Sequence, residues 1–256
     1  MTVLLIIEPM LPIAIASSRG SFVANLLSPD PKEVWVDAAS GSVTVISVDL
    51  GAARQIDTIF LGYLRQAVAG ATWTITGGVN GHDEFTIQAA TSLRVPDTAN
   101  EFASVSHALW YGVARAARYL AISVLQPGGN LQLSAGSLII GRAFAPTFGQ
   151  EWGFGRRPID TGTATPLPSG GFAIVQGTRK RAVKWTFGDL SSDEADRLEQ
   201  IAMARGSTSP LLVIEDADRT TGLRGRIHYG LFEKWQEFER RNRRQTRWEL
   251  ELTEWV

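Results

Sequence analysis

The most ligand-like run of the sequence is His82-Asp83-Glu84, which follows the turn-forming segment Gly77 to Gly81. Carboxylate oxygens are the ligands that divalent cations prefer, but such a cation needs oxygens from several loops. The alternative is a solvated polar turn, because charged turn residues are usually exposed. Asp216-Ala217-Asp218 has the acidic spacing that begins a calcium loop, but the Gly and Glu that should follow are misplaced, and it is interpreted as a hairpin turn. We therefore predict no metal site.

Two adjacent aromatic residues, Trp110 and Tyr111, precede a predicted strand and could stack on a sugar ring. The alternative is that these rings cover the core, since large aromatic side chains are usually mostly buried. Other polar and aromatic residues are expected at the same end of the predicted sandwich, where they would complete a shallow patch. The candidate ligand-binding residues are Tyr63, Arg65, His82, Trp110, Tyr111 and Arg115.

Catalytic signatures are not found in the sequence. The three histidines, His82, His107 and His228, are not at the spacing of a zinc protease, and there is neither a Gly-x-Ser-x-Gly elbow nor a phosphate-binding loop. With no Cys, thiolate metal sites and disulfides are excluded. The sequence predicts that the protein is not an enzyme and needs no cofactor. A glycan-processing enzyme that uses Asp83 and Glu84 is the least favoured alternative.

The one dense basic run is Arg240 to Arg244. It could contact nucleic acid, but the net charge of −1 favours a solvated turn or a charged patch between subunits. A second segment, residues 148–157, is rich in aromatics and glycine, as an arm reaching across a neighbouring subunit would be. The candidate interface residues are Trp152, Phe154, Arg156, Arg157, Arg240, Arg241, Arg243 and Arg244.

The first half of the sequence has an all-β pattern. Val43 to Leu50 alternates between apolar and polar residues and is followed by Gly51, which predicts a strand with one face on a core. Trp35, which arrives from a Pro-containing loop, is predicted to lie in that core. Short β-branched segments separated by turn residues follow as far as Ile140, as in a sandwich or barrel.

The second half mixes strand and helix. Ser191 and Glu194 form a capping box before apolar residues at helical spacing, which predicts an amphipathic helix over residues 192–204 that ends at Gly206. The segment from Arg247 to Trp255 alternates strictly and predicts a terminal strand. Residues 1–140 contain 7 basic and 10 acidic side chains, whereas the remainder contains 18 and 16, so two differently built surfaces are expected.

We expect four segments. Residues 1–16 would form an N-terminal strand, which could pair with the second domain and make the first an insertion; they lack the basic start and continuous apolar run of an export signal. Residues 17–143 would form a jelly roll, 144–171 an irregular Gly/Pro-rich arm or linker, and 172–256 an α+β domain. The predicted fold is mainly β: a jelly-roll β-sandwich plus a β-rich α+β domain with one amphipathic helix.

The region from Phe22 to Ala143 resembles the discoidin-type galactose-binding jelly roll. The resemblance is carried by an Asn-Leu pair, a Pro-containing turn and Trp35, by a strand ending Val-Asp-Leu-Gly at Gly51, and by the segments Ala117 to Val124 and Gly136 to Gly141. It implies a sandwich that binds carbohydrate or protein. The animal members of the family often carry a disulfide between their termini, which this sequence cannot form.

The second half resembles the ring-forming distal tail protein of long-tailed bacteriophages. Its strand-helix-strand order, Trp185 in the strand before the helix, the hairpin from Glu215 to Arg224 and the terminal Trp-x-Leu-x-Leu-x-Glu strand carry this resemblance. The resemblance implies a virion structural protein of the tail tip or baseplate, assembled in the host cytoplasm.

The partners that this family implies are other copies of the chain in a homo-oligomeric, hexameric ring, the tail tube, hub and fibres, and a host surface glycan. Nucleic acid and membrane insertion are not expected. The alternative is a monomeric carbohydrate-binding module protein whose second half is an accessory domain.

Overall fold

The computed structural model describes residues 4–38, 41–68, 70–93, 105–128, 131–151, 155–218, 226–234, 237–242 and 245–255. The chain divides into two compact units, the first made of Met1–Ala145 with Leu212–His228 and the second of Pro146–Leu211 with Tyr229–Val256. The described elements are β1 (Leu5–Pro9), β2 (Ala14–Ser17), a 3₁₀ helix (Val23–Leu27), β3 (Trp35–Val36), β4 (Val43–Leu64), β5 (Thr72–Gly78), β6 (Phe85–Ser92), β7 (Ser106–Leu125), β8 (Ser134–Ala135), β9 (Ser137–Phe144), β10 (Gly155–Asp160), β11 (Thr163–Pro166), β12 (Phe172–Val175), β13 (Arg179–Leu190), α1 (Ser192–Arg205), β14 (Leu211–Ile214), β15 (Ile227–Lys234), β16 (Glu239–Arg240) and β17 (Thr246–Glu254).

Two long strands, β4 and β7, organise the first unit. Their antiparallel register is interrupted between Asp49 and Arg54, where Gly51 has a φ of 79°. Before this interruption β4 pairs with β2 as well as β7, and after it with β9 as well as β7. Strands β5 and β6 extend the part of the sheet formed by the later half of β7. The two long strands therefore contribute to both layers of the sandwich.

The core of the first unit follows the alternation seen in the sequence. Thr44, Ile46, Val48 and Leu50 of β4 are buried, so the period-two prediction for this strand is confirmed. Trp35 is fully buried, as predicted. The predicted mainly β fold, a β-sandwich with a second β-rich unit that contains helix α1, is also confirmed.

The second unit pairs β13 with β17 along most of their length, and β17 also pairs with β15 and β16. Helix α1 begins at the predicted capping box, in which the Ser191 hydroxyl accepts from the Glu194 backbone N–H and the Glu194 carboxylate accepts from the Ser191 backbone N–H. Trp248, Leu250 and Leu252 of β17 are buried, which confirms the predicted terminal strand.

A long hairpin extends from the second unit where the sequence interpretation had no regular structure. Strand β10 pairs with the start of β13, and β11 pairs with β12 beyond it. The tip turns between Leu167 and Gly171, whose backbone groups are hydrogen-bonded. The prolines of this segment are tolerated because a two-stranded ribbon leaves each strand with an edge that makes no ladder bonds.

The first strand, β1, lies between β9 and β14. The residues of β14 were predicted to belong to the domain 172–256. In the structure, residues 212–228 belong to the first compact unit. In the described part of the chain, no helix is long and apolar enough to cross a membrane.

Candidate functional site

The six predicted ligand-binding residues are distributed over three places in the first unit. Tyr63 donates its backbone N–H to His107 Nδ1 at 3.2 Å, and the two rings meet edge to face. Arg65 is exposed and pairs through its backbone with Ser134. His82 and Arg115 lie near the β5–β6 turn, whereas Trp110 and Tyr111 line a separate cleft. The residues therefore do not form one patch.

The turn between β5 and β6 is held by a carboxylate. Glu84 accepts from the backbone N–H groups of Val79 at 2.9 Å and Asn80 at 2.7 Å, and these hydrogen bonds lower the pKa of Glu84 below its usual value. The carboxylate therefore has a structural role in the turn. The described residues contain no group of three or more His, Cys, Asp or Glu side chains suited to a metal ion.

Beside this turn lies a cluster of charged and aromatic side chains. Asp49 and Arg118 form a two-point ion pair at 2.9 and 3.0 Å, and the Arg118 guanidinium lies over the ring of Tyr119 at 4.6 Å. His82 contacts the same ring, at 5.3 Å between centroids. Because these groups contact one another, they leave few polar atoms directed at a ligand.

The Asp49–Arg118 pair leads to a pH prediction. The hydrogen bond from Arg118 is the largest cause that lowers the pKa of Asp49, so the stabilisation is present above the unfolded value of about 3.9 and is lost as the pH falls through the lower folded value. In urea unfolding at a series of pH values, Asp49→Asn should be less stable than wild type near pH 6, and this difference should shrink as the pH falls below the unfolded value of about 3.9. Arg118→Gln should behave in the same way; an unchanged acid dependence in Arg118→Gln would contradict this role.

An open cleft of about 420 Å³ lies between β6 and the first half of β7. Its floor is apolar and formed by largely buried side chains, and its rim is mainly polar. The floor comprises Trp73, Leu93, Leu109 and Trp110, and the rim comprises Gln88, Thr91, Ser92, Tyr111, Ala217 and Asp218. Such a cavity has the size and lining that small-ligand sites usually have.

Trp110 and Tyr111, the adjacent aromatic residues that the sequence predicted as ligand-binding, differ in exposure. Trp110 is 7% exposed and belongs to the core, so the alternative in which this ring covers the core is correct for Trp110, whereas Tyr111 is 43% exposed. Burial, followed by the negative charges of Asp57 and Asp218, raises the pKa of the Tyr111 hydroxyl. The hydroxyl therefore stays protonated and is available as a hydrogen-bond donor near neutral pH.

The predicted interface residues lie in the second unit. Arg157 donates to Glu233 at 3.1 Å and contacts Glu251 at 3.5 Å, and Arg241 contacts Glu151 at 3.4 Å. Arg156 and Arg240 are exposed. The other predicted interface residues, Trp152, Phe154, Arg243 and Arg244, lie outside the described residues.

No protein-family model matches the sequence, and no curated protein matches it. Among solved structures, the chain is similar to a variant of chitosan-binding module 1 from the chitosanase/glucanase of Paenibacillus sp. IK-5, with 14% identity, 53% of this chain and 98% of that chain covered, and a TM-score of 0.40. It is also similar to CBM32-3 from a family 31 glycoside hydrolase of Clostridium perfringens, with 16% identity, coverage of 53% and 90%, and a TM-score of 0.39.

A mutant of the lectin-binding domain of Lectinolysin, complexed with Lewis b, is similar with 13% identity, coverage of 53% and 96%, and a TM-score of 0.39. These neighbours are carbohydrate-binding modules that align with about half of the chain. The similarity of the second half to a distal tail protein stays a prediction.

Proposed function

We propose that this protein is a structural subunit of a long-tailed phage tail tip or baseplate. Its second unit assembles copies of the chain into a ring, and its first unit carries a carbohydrate or a receptor-binding protein. The observation that carries the assembly part is the hairpin of β10 to β13, whose tip exposes apolar side chains. A ring acts by geometry and multivalency, because several weak sites on one particle bind more tightly than one site alone.

Four apolar residues of the hairpin tip share one face. In the β11–β12 register, Ala164 pairs with Ile174 and Pro166 with Phe172, which places these four side chains on the same side of the ribbon. Phe172 is 64% exposed and Ile174 is 70% exposed. A two-stranded ribbon is marginally stable in water by itself, so a surface that covers this face would stabilise it.

Charge complementarity favours a second copy of the chain as the occupant. The base of the hairpin is rich in basic side chains, Arg156, Arg157, Arg179, Lys180 and Arg181, of which Arg157 is paired with Glu233 and Glu251 and Arg179 with Asp160. The exposed side of α1 carries Asp193, Asp196 and Glu199 beside the basic Arg197. One chain thus carries both members of a complementary pair of surfaces, as head-to-tail contacts in a closed ring require.

The assembly part is tested by the mass of the full chain in solution, measured by light scattering at several concentrations, with electron microscopy of the same sample. We expect a closed multimer, and we expect it to be hexameric. A monomer at every concentration would contradict the ring and favour the second candidate, a monomeric carbohydrate-binding module protein. That candidate is favoured by the cleft between β6 and β7.

A further inference from the structure

We propose that the cleft between β6 and β7 binds a saccharide that carries no acidic group, with Tyr111 as the stacking residue and Asp218 as a hydrogen-bond acceptor. The inference rests on the carbohydrate-binding part of the proposed function and is independent of the ring. It names a site on the side of the sandwich, between β6 and β7, and not the charged cluster at the β5–β6 turn.

The lining of the cleft suits the two faces of a sugar ring. A pyranose presents C–H groups on one face and hydroxyl groups around its edge, so it needs an apolar surface beside hydrogen-bonding groups. Trp73, Leu109 and Trp110 supply the apolar floor. On the rim, the Gln88 amide N–H donates to the Thr91 hydroxyl, and the Gln88 side chain also has an amide oxygen that can accept a hydrogen bond.

Tyr111 is positioned before any ligand arrives. It lies within β7, where it is directly opposite Thr58 of β4, so its backbone is fixed by the ladder. Nearly half of its side chain is accessible, while the adjacent Trp110 and Leu109 anchor the strand in the interior. A ring held on a strand loses little conformational entropy on binding, which favours affinity.

The charge of the cleft selects among saccharides. Among the described residues that line the cleft, Asp218 is the one with a charged side chain. Its backbone N–H donates to Asp216 Oδ1 at 3.2 Å, and this hydrogen bond stabilises the turn that contains Asp218. Asp57 adds a second negative charge that acts on Tyr111. Its carboxylate is held by the Thr58 hydroxyl and the Ala143 backbone N–H. The Asp218 carboxylate on the rim attracts hydroxyl and ammonium donors and repels uronic acids and sulfates.

The charged cluster at the β5–β6 turn is a weaker candidate for the same role. Its carboxylates already accept hydrogen bonds, Asp49 from Arg118 and Glu84 from two backbone N–H groups. A ligand there would have to break these contacts before forming its own. In the cleft, a sugar hydroxyl would meet the Tyr111 ring and the Asp218 carboxylate, while the Gln88 amide N–H groups donate to the Ala89 carbonyl and the Thr91 hydroxyl.

The test uses the full-length chain on an array of neutral, amine-bearing and acidic glycans, followed by calorimetry with trisaccharides of glucosamine, N-acetylglucosamine and galacturonic acid. We expect binding among the neutral or amine-bearing glycans and at least about tenfold weaker binding of acidic ones. Tyr111→Ala should weaken binding at least about tenfold, which corresponds to the energy of one aromatic contact. Tyr111→Phe should retain most of the affinity because it keeps the ring.

Asp218→Asn should reduce the discrimination against galacturonic acid, and Phe148→Ala, at an exposed aromatic residue of the second unit, should leave binding unchanged. Thermal unfolding verifies that each variant is folded. No binding to any glycan, preferential binding of acidic glycans, or undiminished binding by folded Tyr111→Ala would each overturn the proposal. Because solution mass is measured on the same samples, failure of the saccharide site is distinguishable from failure of the ring.

Discussion

The double variant Phe172→Asp/Ile174→Asp should convert the multimer that we propose into monomers. Both side chains lie on the apolar face of the hairpin tip and are mostly exposed in the single chain. Burying a large apolar side chain contributes about 1.5–3 kcal/mol to the free energy of association. Losing two such side chains per interface should therefore raise the protein concentration at which the multimer dissociates at least about a hundredfold. Light scattering across a dilution series measures this shift.

The matched control is Ala173→Asp, which adds a carboxylate to the same strand on the opposite face of the ribbon. It should change the dissociation concentration much less than the double variant. If Ala173→Asp raised the dissociation concentration as much as the double variant, added charge and not loss of the apolar face would be what weakens assembly. A double variant that remains fully multimeric would exclude the hairpin tip from the interface.

Trp35→Ala should destabilise the first unit by about 3–5 kcal/mol, the usual cost of removing a fully buried large aromatic side chain. Trp35 lies in the core cluster, and its strand pairs with β8. Urea unfolding measures the change. The control is Val113→Ala, at a side chain that is 83% exposed, where we expect a change within about 0.5 kcal/mol.

A second substitution at the same position separates packing from hydrogen bonding. The indole Nε1 of Trp35 is buried and has no hydrogen-bond partner among the described residues. Trp35→Phe removes this unsatisfied N–H and keeps an aromatic ring, so it should cost clearly less than Trp35→Ala. A Trp35→Phe variant as unstable as Trp35→Ala would contradict the assignment of Trp35 to apolar packing.

The elements that the sequence predicted are those with local signals. The capping box at Ser191 and Glu194 is complete within four residues, and the alternation of apolar and polar residues from Ile46 to Leu50 matches which side chains are buried. The hairpin of β10 to β12 was missed because Pro158 and Pro166 with nearby glycines indicate irregular structure in isolation. Its regularity comes from cross-strand pairing, which no local pattern encodes.

The cleft was predictable only in part. Trp110 and Tyr111 are conspicuous as adjacent aromatic residues, but Gln88 and Asp218 are ordinary polar residues that only the fold brings to the same cavity. Two register shifts between β4 and β7 divide the predicted patch. The shift between Ile56 and Thr58 separates Arg115 from Tyr111, and the one between Asp49 and Arg54 separates Tyr119 from both.

The division of the chain into units governs the order in which they can be completed during synthesis. Residues 212–228 belong to the first unit, yet the ribosome makes them only after residues 146–211 of the second. Until β14 emerges, the edge of β1 at Leu5, Ile6 and Ile7 has no partner on that side. A nascent chain or proteolytic fragment that stops at residue 145 therefore exposes an apolar strand edge, the kind of surface that promotes aggregation.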